Sequence, residues 1–300
     1  MAPSRPRGVI AAAATPVDAE FRPDLPRLLA HCRALLDDGC DAINLLGTTG
    51  EATAFGVEQR IRVMRAVAEE GLPLDRFMVG TGVPALEETV RLTRAASALG
   101  FAGALVLPPY YYPDVPAEGL VAYVDALIAR VDHPALAIYL YHIPQNTKVA
   151  WPLEVVVRLR ERHGETLAGL KDSAGELAYA RAVAAALPGF DVFPSSEAAL
   201  AEARTWGFAG CISATVNLTA REAQAAWSAQ ATPAGAAAAN KAAELRAIVA
   251  REPLVAAVKA LLAARYGDDA WARVCLPLAP LSRERAAALR AAYERRTAEP

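Results

Sequence analysis

Two patterns of apolar residues alternate along this 300-residue chain. Each unit begins with a short, unbroken apolar run. A longer stretch follows in which apolar positions recur every three or four residues. The runs read as strands covered on both faces, the longer stretches as helices with one buried stripe. The strand candidates are residues 8–14, 42–46, 77–80, 104–107, 136–141, a run from 167 to the lysine at 171, 191–193 and 210–213. The helix candidates are 25–36, 57–70, 85–99, 118–130, 153–162, 176–187, 197–206 and 219–230. Gly39, Gly71, Gly100, Gly164, Gly189 and Gly207 stand just past helix ends, where a glycine closes the last turn most easily. After Pro233 only helical patterns remain, over 236–251, 254–266 and 283–295.

Eight strand-then-helix units predict an α/β fold, a (β/α)8 TIM barrel over residues 1–232. Residues 233–300 then form a C-terminal helical region packed on it. The competing arrangement, an open doubly wound sheet, calls for a nucleotide fingerprint after an early strand. Gly80-Thr81-Gly82-Val83-Pro84-Ala85 has its outline, but it follows the third strand and carries Pro84 in the turn. No acidic residue stands at the expected distance of about 20 positions further on.

Composition narrows the function. The chain is 54% hydrophobic and 21% charged, enough for a sizeable core and unlike a disordered segment. A net charge of −2 offers no attraction for nucleic acid. Cys32, Cys40, Cys211 and Cys275 form no Cys-x-x-Cys pair, which fits reduced thiols in a cytoplasmic protein. Arg5 and Arg7 ahead of the first apolar run imitate a short signal peptide, but the run stops at Thr15-Pro16 and is expected to be a buried strand. No apolar stretch approaches the ~20 residues that span a membrane. Phosphate-loop, His-Glu-x-x-His and Gly-x-Ser-x-Gly motifs are absent from the sequence. His31, His133, His142 and His163 lack ligand spacing, so neither a metal nor an organic cofactor is expected.

In a barrel the C-terminal ends of the strands converge on one mouth, where the chemistry sits. The chain has only four lysines, Lys148, Lys171, Lys241 and Lys259, and Lys171 alone ends a strand-like run. Apolar surroundings favour a neutral amine, which can attack a ketone to form a Schiff base. The plainer reading is a strand-end lysine pointing into water. Strand two ends in Gly47-Thr48-Thr49-Gly50-Glu51, a donor-rich turn fit for a carboxylate. Strand four ends in Tyr110-Tyr111-Tyr112 between prolines, and strand five in Tyr141-His142-Ile143-Pro144. Taken singly, each is more often structural. Together they supply an amine, a phenol to move protons, a hydroxyl to orient the phenol and a carboxylate pocket.

With these residues in place, the chain resembles the dihydrodipicolinate synthase / N-acetylneuraminate lyase family of pyruvate-dependent class I aldolases. The matching pieces are Thr15-Pro16, Gly47-Thr48-Thr49-Gly50-Glu51, Gly80-Thr81-Gly82, Pro109-Tyr110-Tyr111, Tyr141-His142-Ile143-Pro144, Gly169-Leu170-Lys171-Asp172 and Gly210-Cys211-Ile212-Ser213. They run in the family's order over about residues 8–290. The resemblance implies that Lys171 forms a ketimine with pyruvate, that Tyr141 is the general acid/base, and that Thr48 relays protons to it. It implies that Thr48 and Thr49 bind the pyruvate carboxylate and that the Ile212 backbone carbonyl faces the bound pyruvate. Tyr111 would complete the relay from a neighbouring subunit of a homotetramer, a dimer of dimers.

Departures bear on substrate. True dihydrodipicolinate synthases carry an arginine shortly after the Tyr-x-x-Pro turn, whereas here Asn146 stands there. An amide lacks the charged fork that grips a carboxylate. His142 replaces the family's more frequent asparagine and is either a structural histidine or a substrate contact. Ser196 and Glu197, after strand seven, are expected on the substrate-tail side as hydroxyl binders, or Glu197 as a helix cap. The resulting expectation is a lyase acting on a 4-hydroxy-2-oxo acid to give pyruvate and an aldehyde. The alternatives are 4-hydroxy-tetrahydrodipicolinate synthesis or a related dehydration, and a non-catalytic binding barrel.

Overall fold

A computed structural model describes residues 5–299, so the outermost residues of the two expected regions, 1–4 and 300, lie outside it. The strands are β1 (Gly8–Ala12), β2 (Ala42–Leu45), β3 (Phe77–Gly80), β4 (Gly103–Val106), β5 (Ile138–His142), β6 (Leu167–Asp172), β7 (Asp191–Pro194) and β8 (Gly210–Ser213). They pair in parallel in the order β7-β6-β5-β4-β3-β2-β1-β8. The remaining seam is bridged where the Ala209 N–H donates to the Val192 carbonyl at 2.9 Å, so the sheet is a nearly closed barrel. The first apolar run is thus a buried strand. Arg7, just ahead of it, pairs with the buried Asp191 at the start of β7 at 2.6 Å.

Each strand is followed by helix on the outside: α1 (Leu25–Asp37), α2 (Val57–Glu69), α3 (Leu86–Leu99), α4 (Ala117–Val131), α5 (Leu153–His163), α6 (Leu177–Ala186), α7 (Ala203–Trp206) and α8 (Val216–Ser228). Two helices differ from expectation. Residues Glu197–Glu202 wind as a 3-10 helix and only Ala203–Trp206 is α-helical. Six residues are too few for apolar spacing to separate a period of about 3.0 from one of about 3.6. Helix α8 begins at Val216 rather than 219 and kinks at Thr219. There the Thr219 hydroxyl donates to the Thr215 carbonyl at 3.0 Å and to Glu197 Oε1 at 2.9 Å. Such back-bonding bends helices.

The barrel is filled, not hollow. Ile10, Met78, Leu105, Tyr139, Phe193 and Ile212 pack inside it. Tyr139 is the widest of these, and glycines on the flanking strands make room for its ring. A Cβ on Gly103 would lie 2.6 Å from Tyr139 Cε2, and one on Gly169 2.7 Å from Cδ1. Beyond the barrel come α9 (Pro233–Val249), α10 (Leu254–Tyr266) and α11 (Arg283–Ala298). Val258, Leu262, Trp271 and Leu289 of this region pack with Ala14, just past β1. Among the described residues no helix is long and apolar enough to cross a membrane.

A buried polar knot joins these layers. Asn217 Nδ2 donates to the Ala12 and Ala214 carbonyls, and its Oδ1 accepts from the Ala14 N–H. His31 Nε2 lies 2.8 Å from that Oδ1, so it carries the proton, and His31 Nδ1 accepts from the Tyr266 hydroxyl at 2.8 Å. Burial lowers the His31 pKa from 6.5 to about 4, against a raising contribution from Asn217. Between those values the unfolded chain binds a proton that the native one does not. Stability is therefore complete above pH 6.5 and falls as the pH drops toward about 4. His31→Gln should flatten this dependence. Thermal-unfolding midpoints of the two proteins measured across that window check it, and parallel curves would refute it.

Candidate active site

The register of β5 against β6 sets Tyr141 beside Lys171 on the inner face of the mouth. Lys171 Nζ lies 4.4 Å from the centre of the Tyr141 ring, and both residues are buried. The Tyr141 hydroxyl lies 3.1 Å from Thr48 Oγ1. Thr48 reaches it because the turn after β2 passes close over β3. Leu46 adopts a left-handed φ of 52°, and its carbonyl would be 2.1 Å from any Cβ at Gly80. Gly80 is therefore required by the turn, as expected for barrel-end geometry and not for a nucleotide loop.

Burial alone would raise the Tyr141 pKa. The Lys171 charge, with hydrogen bonds to Thr48, Ser173 and Lys171, outweighs it and lowers the phenol below its ordinary value. A phenol so placed gives up and recovers a proton more readily at neutral pH. His142 belongs to the framework. Its Nδ1 accepts from the Trp151 N–H at 3.1 Å, its ring stacks on Tyr179 at 4.1 Å, and burial lowers its pKa to about 4. Asp172, next to Lys171, is raised to about 6 by burial, which the N–H groups of Ala174 and Ala180 temper.

A cavity of about 850 Å³ opens on this mouth, lined by Thr48, Thr49, Tyr141, Asn146, Lys171 and Ile212 among others. Six of the expected site residues thus share one space. An adjoining recess of about 270 Å³, lined by Tyr110 and Arg60, shares Thr48, Tyr141 and Asn146 with it. Two of the expected residues line neither space. Ser196 caps the 3-10 helix, its Oγ accepting from the Ala198 N–H at 3.4 Å. Glu197 is fully buried, its Oε1 accepting from the Thr215 hydroxyl at 2.5 Å and the Thr219 hydroxyl at 2.9 Å. Ser195, one residue earlier, lines the cavity instead. Tyr111 stands apart, 81% exposed, with a strained φ of 96° and its ring edge-on to Tyr112. Among the described residues no cluster of three or more His, Cys, Asp or Glu side chains forms a metal site.

Sequence reasoning missed a second buried lysine contact. Lys259 of α10 is fully buried and pairs with Glu51, the last residue of the Gly-Thr-Thr-Gly-Glu turn. The other Glu51 oxygen accepts from the Cys275 N–H at 2.6 Å. The C-terminal region thereby holds the turn that carries Thr48 and Thr49. The scarcity of lysine was the available signal, since Lys259 was one of the four.

An amine and a phenol side by side at the mouth of a (β/α)8 barrel are the groups that a class I aldolase or lyase uses. The sequence profile of the Dihydrodipicolinate synthetase family matches residues 5–296, and the chain belongs to that family. Its members are pyruvate-dependent class I aldolases and lyases, and this chain is an enzyme of that class. It is 35% identical over 294 residues to an uncharacterised DapA-like lyase of Chloroflexus aurantiacus, covering 97% of each chain. It is 33% identical over 216 residues to the 4-hydroxy-tetrahydrodipicolinate synthase of Methylococcus capsulatus, 72% of each. The crystal structure of the dihydrodipicolinate synthase of Acinetobacter baumannii complexed with pyruvate is 28% identical and superposes with a TM-score of 0.86, over 97% of this chain and 99% of that one.

The Glu51–Lys259 pair has a measurable consequence. Lys259→Met strands a buried carboxylate and should cost about 3–5 kcal/mol of unfolding free energy. Adding Glu51→Gln should restore most of the loss, because an amide needs no counter-charge. Urea denaturation of the single and double variants measures both. A double variant no more stable than Lys259→Met would show that the lysine acts through packing alone.

Proposed function

We propose that the protein is a Schiff-base-forming lyase that cleaves or forms a 4-hydroxy-2-oxo acid, giving pyruvate and an aldehyde. The observation that carries this reading is the buried contact of Lys171 with Tyr141, itself bonded to Thr48. In the cleavage direction the Lys171 amine attacks the C2 ketone. Tyr141, with Thr48 behind it, moves the protons that turn the carbinolamine into a ketimine, and water leaves. Thr48 and Thr49 receive the C1 carboxylate, and the Ile212 backbone carbonyl faces the bound pyruvate unit. The C3–C4 bond then breaks. Its electron pair flows into the iminium to form an enamine, while the C4 hydroxyl gives its proton to the Tyr141 phenolate and becomes the aldehyde. The enamine takes a proton at C3, and water hydrolyses the ketimine to free pyruvate and the amine. No metal or organic cofactor enters this sequence.

Tyr111 supports an oligomeric site. Its backbone strain is of the kind that persists only when surroundings hold it, and its ring is exposed on one subunit. In this reading a neighbouring subunit of a homotetramer receives it and so completes its relay. Four buried, unpaired cysteines fit a cytoplasmic protein. A second reading, condensation of pyruvate with aspartate semialdehyde, is favoured by the 33% identity to a 4-hydroxy-tetrahydrodipicolinate synthase. Asn146 weighs only against the synthases' own way of holding that aldehyde's carboxylate, because an amide lines the cavity where they place an arginine.

Borohydride with pyruvate is expected to add one reduced adduct at Lys171, read by mass spectrometry. Lys171→Ala should abolish labelling and turnover with the fold intact. Tyr141→Phe should lower kcat by about 100-fold or more, the usual scale for a lost acid/base group. An unlabelled Lys171, under conditions that label a control aldolase, would overturn the Schiff-base reading. Turnover of pyruvate with aspartate semialdehyde far above pyruvate release from 2-oxo-3-deoxy acids would select the synthase reading.

A further inference from the structure

The mouth holds a cation that this chemistry leaves unused. Arg246 belongs to α9, outside the barrel repeat, yet lines the same cavity as Lys171. Its Nη1 donates to Ser213 Oγ and Thr215 Oγ1, both at 3.0 Å, just beyond Ile212 at the end of β8. The same nitrogen stands 3.5 Å from Glu197 Oε2, which accepts no hydrogen bond. Arg246 Nε and Nη2 carry no hydrogen bond among the described residues, and the side chain is 26% exposed. The guanidinium is thus fixed at one nitrogen and open at the other two. A planar fork held this way suits a carboxylate.

Position adds to the argument. Lys171 on β6 and the Thr48-Thr49 turn after β2 place the 2-oxo acid head across the mouth. The sector after β5 offers only amides, those of Gln145 and Asn146. The sector after β7 and β8 offers Ser195, Ile212 and Arg246. The other arginine on the cavity, Arg285, is committed to Glu252 near the surface. A single guanidinium with Glu197 at its back matches the single charge of a carboxylate better than the double charge of a phosphate.

We propose that Arg246 binds a carboxylate at the far end of the substrate. This rests on the Schiff-base reading above and narrows it: the substrate is a 4-hydroxy-2-oxo diacid, and the aldehyde released carries a carboxylate. The charged grip that an arginine after β5 would supply comes instead from the C-terminal region.

The test compares pyruvate release from three 4-hydroxy-2-oxo acids that end in a carboxylate, a hydroxymethyl group or a phosphate. Borohydride trapping of pyruvate at Lys171 is measured first. If trapping fails, the Schiff-base reading fails, and this inference with it. With trapping intact, the wild type should favour the carboxylate-ended substrate. Arg246→Gln should lower its selectivity over the hydroxymethyl-ended substrate roughly 10- to 100-fold, the scale of lost charge-assisted hydrogen bonds, chiefly through KM. Arg246→Lys should recover part of that ratio. Should Arg246→Gln unfold because Glu197 is left unpaired, Arg246→Gln with Glu197→Gln removes both charges and should show the same loss of selectivity. Equal losses on all three substrates, or a wild-type preference for the hydroxymethyl or phosphate end, would overturn the inference while leaving the Schiff-base reading standing.

Discussion

The register of β5 against β6 is the constraint on which the site depends. Side chains alternate across a strand, so a slip of one residue would turn Lys171 away from the barrel and into the helix layer. Several features hold the register. The Tyr139 ring fits only between Gly103 and Gly169, one strand to either side. After a register shift past Ile138 opposite Leu167, the ladder runs unbroken from Tyr139 opposite Gly169 to His142 opposite Asp172. His142 is itself tied to the Trp151 N–H and stacked on Tyr179. Packing at the bottom and middle of the barrel thus sets an angstrom-scale relation at its top.

The C-terminal helices are part of the mouth, not a covering for it. They contribute Lys259 to Glu51 of the turn that carries Thr48 and Thr49, and Arg246 to the cavity wall, while the segment between α10 and α11 adds the Cys275 N–H to Glu51. Both ion pairs run from the helical region to the ends of strand units. Burying each pair costs desolvation, which only close, hydrogen-bonded geometry offsets. Charge at these two places specifies position more than it adds stability.

Much of this was legible in the sequence. The strands were, because parallel strands covered on both faces are continuous apolar runs, and β3 and β8 fall where the pattern put them. Lys171 was, because a rare residue type ended such a run. Glu197 was misplaced because sequence locates a residue on an element but not the side toward which a short, tightly wound turn carries it. The hydroxyls that capture it, Thr215 and Thr219, arrive from the next unit. Arg246 left no local mark, since a single arginine in an alanine-rich helix reads as part of its solvated face. Only the docking of α9 separates it from its neighbours.

The Glu51–Lys259 pair also orders events in time. The two residues are 208 positions apart. On a ribosome adding about 5–20 residues per second, Lys259 emerges roughly 10 to 40 s after Glu51. Until then the glutamate has no cation to be buried with, and the turn it ends stays wet. A nascent barrel can therefore pair its strands and still present no finished pocket. Synthesis of the helical region that carries Lys259, not barrel closure alone, completes the turn that holds Thr48 and Thr49.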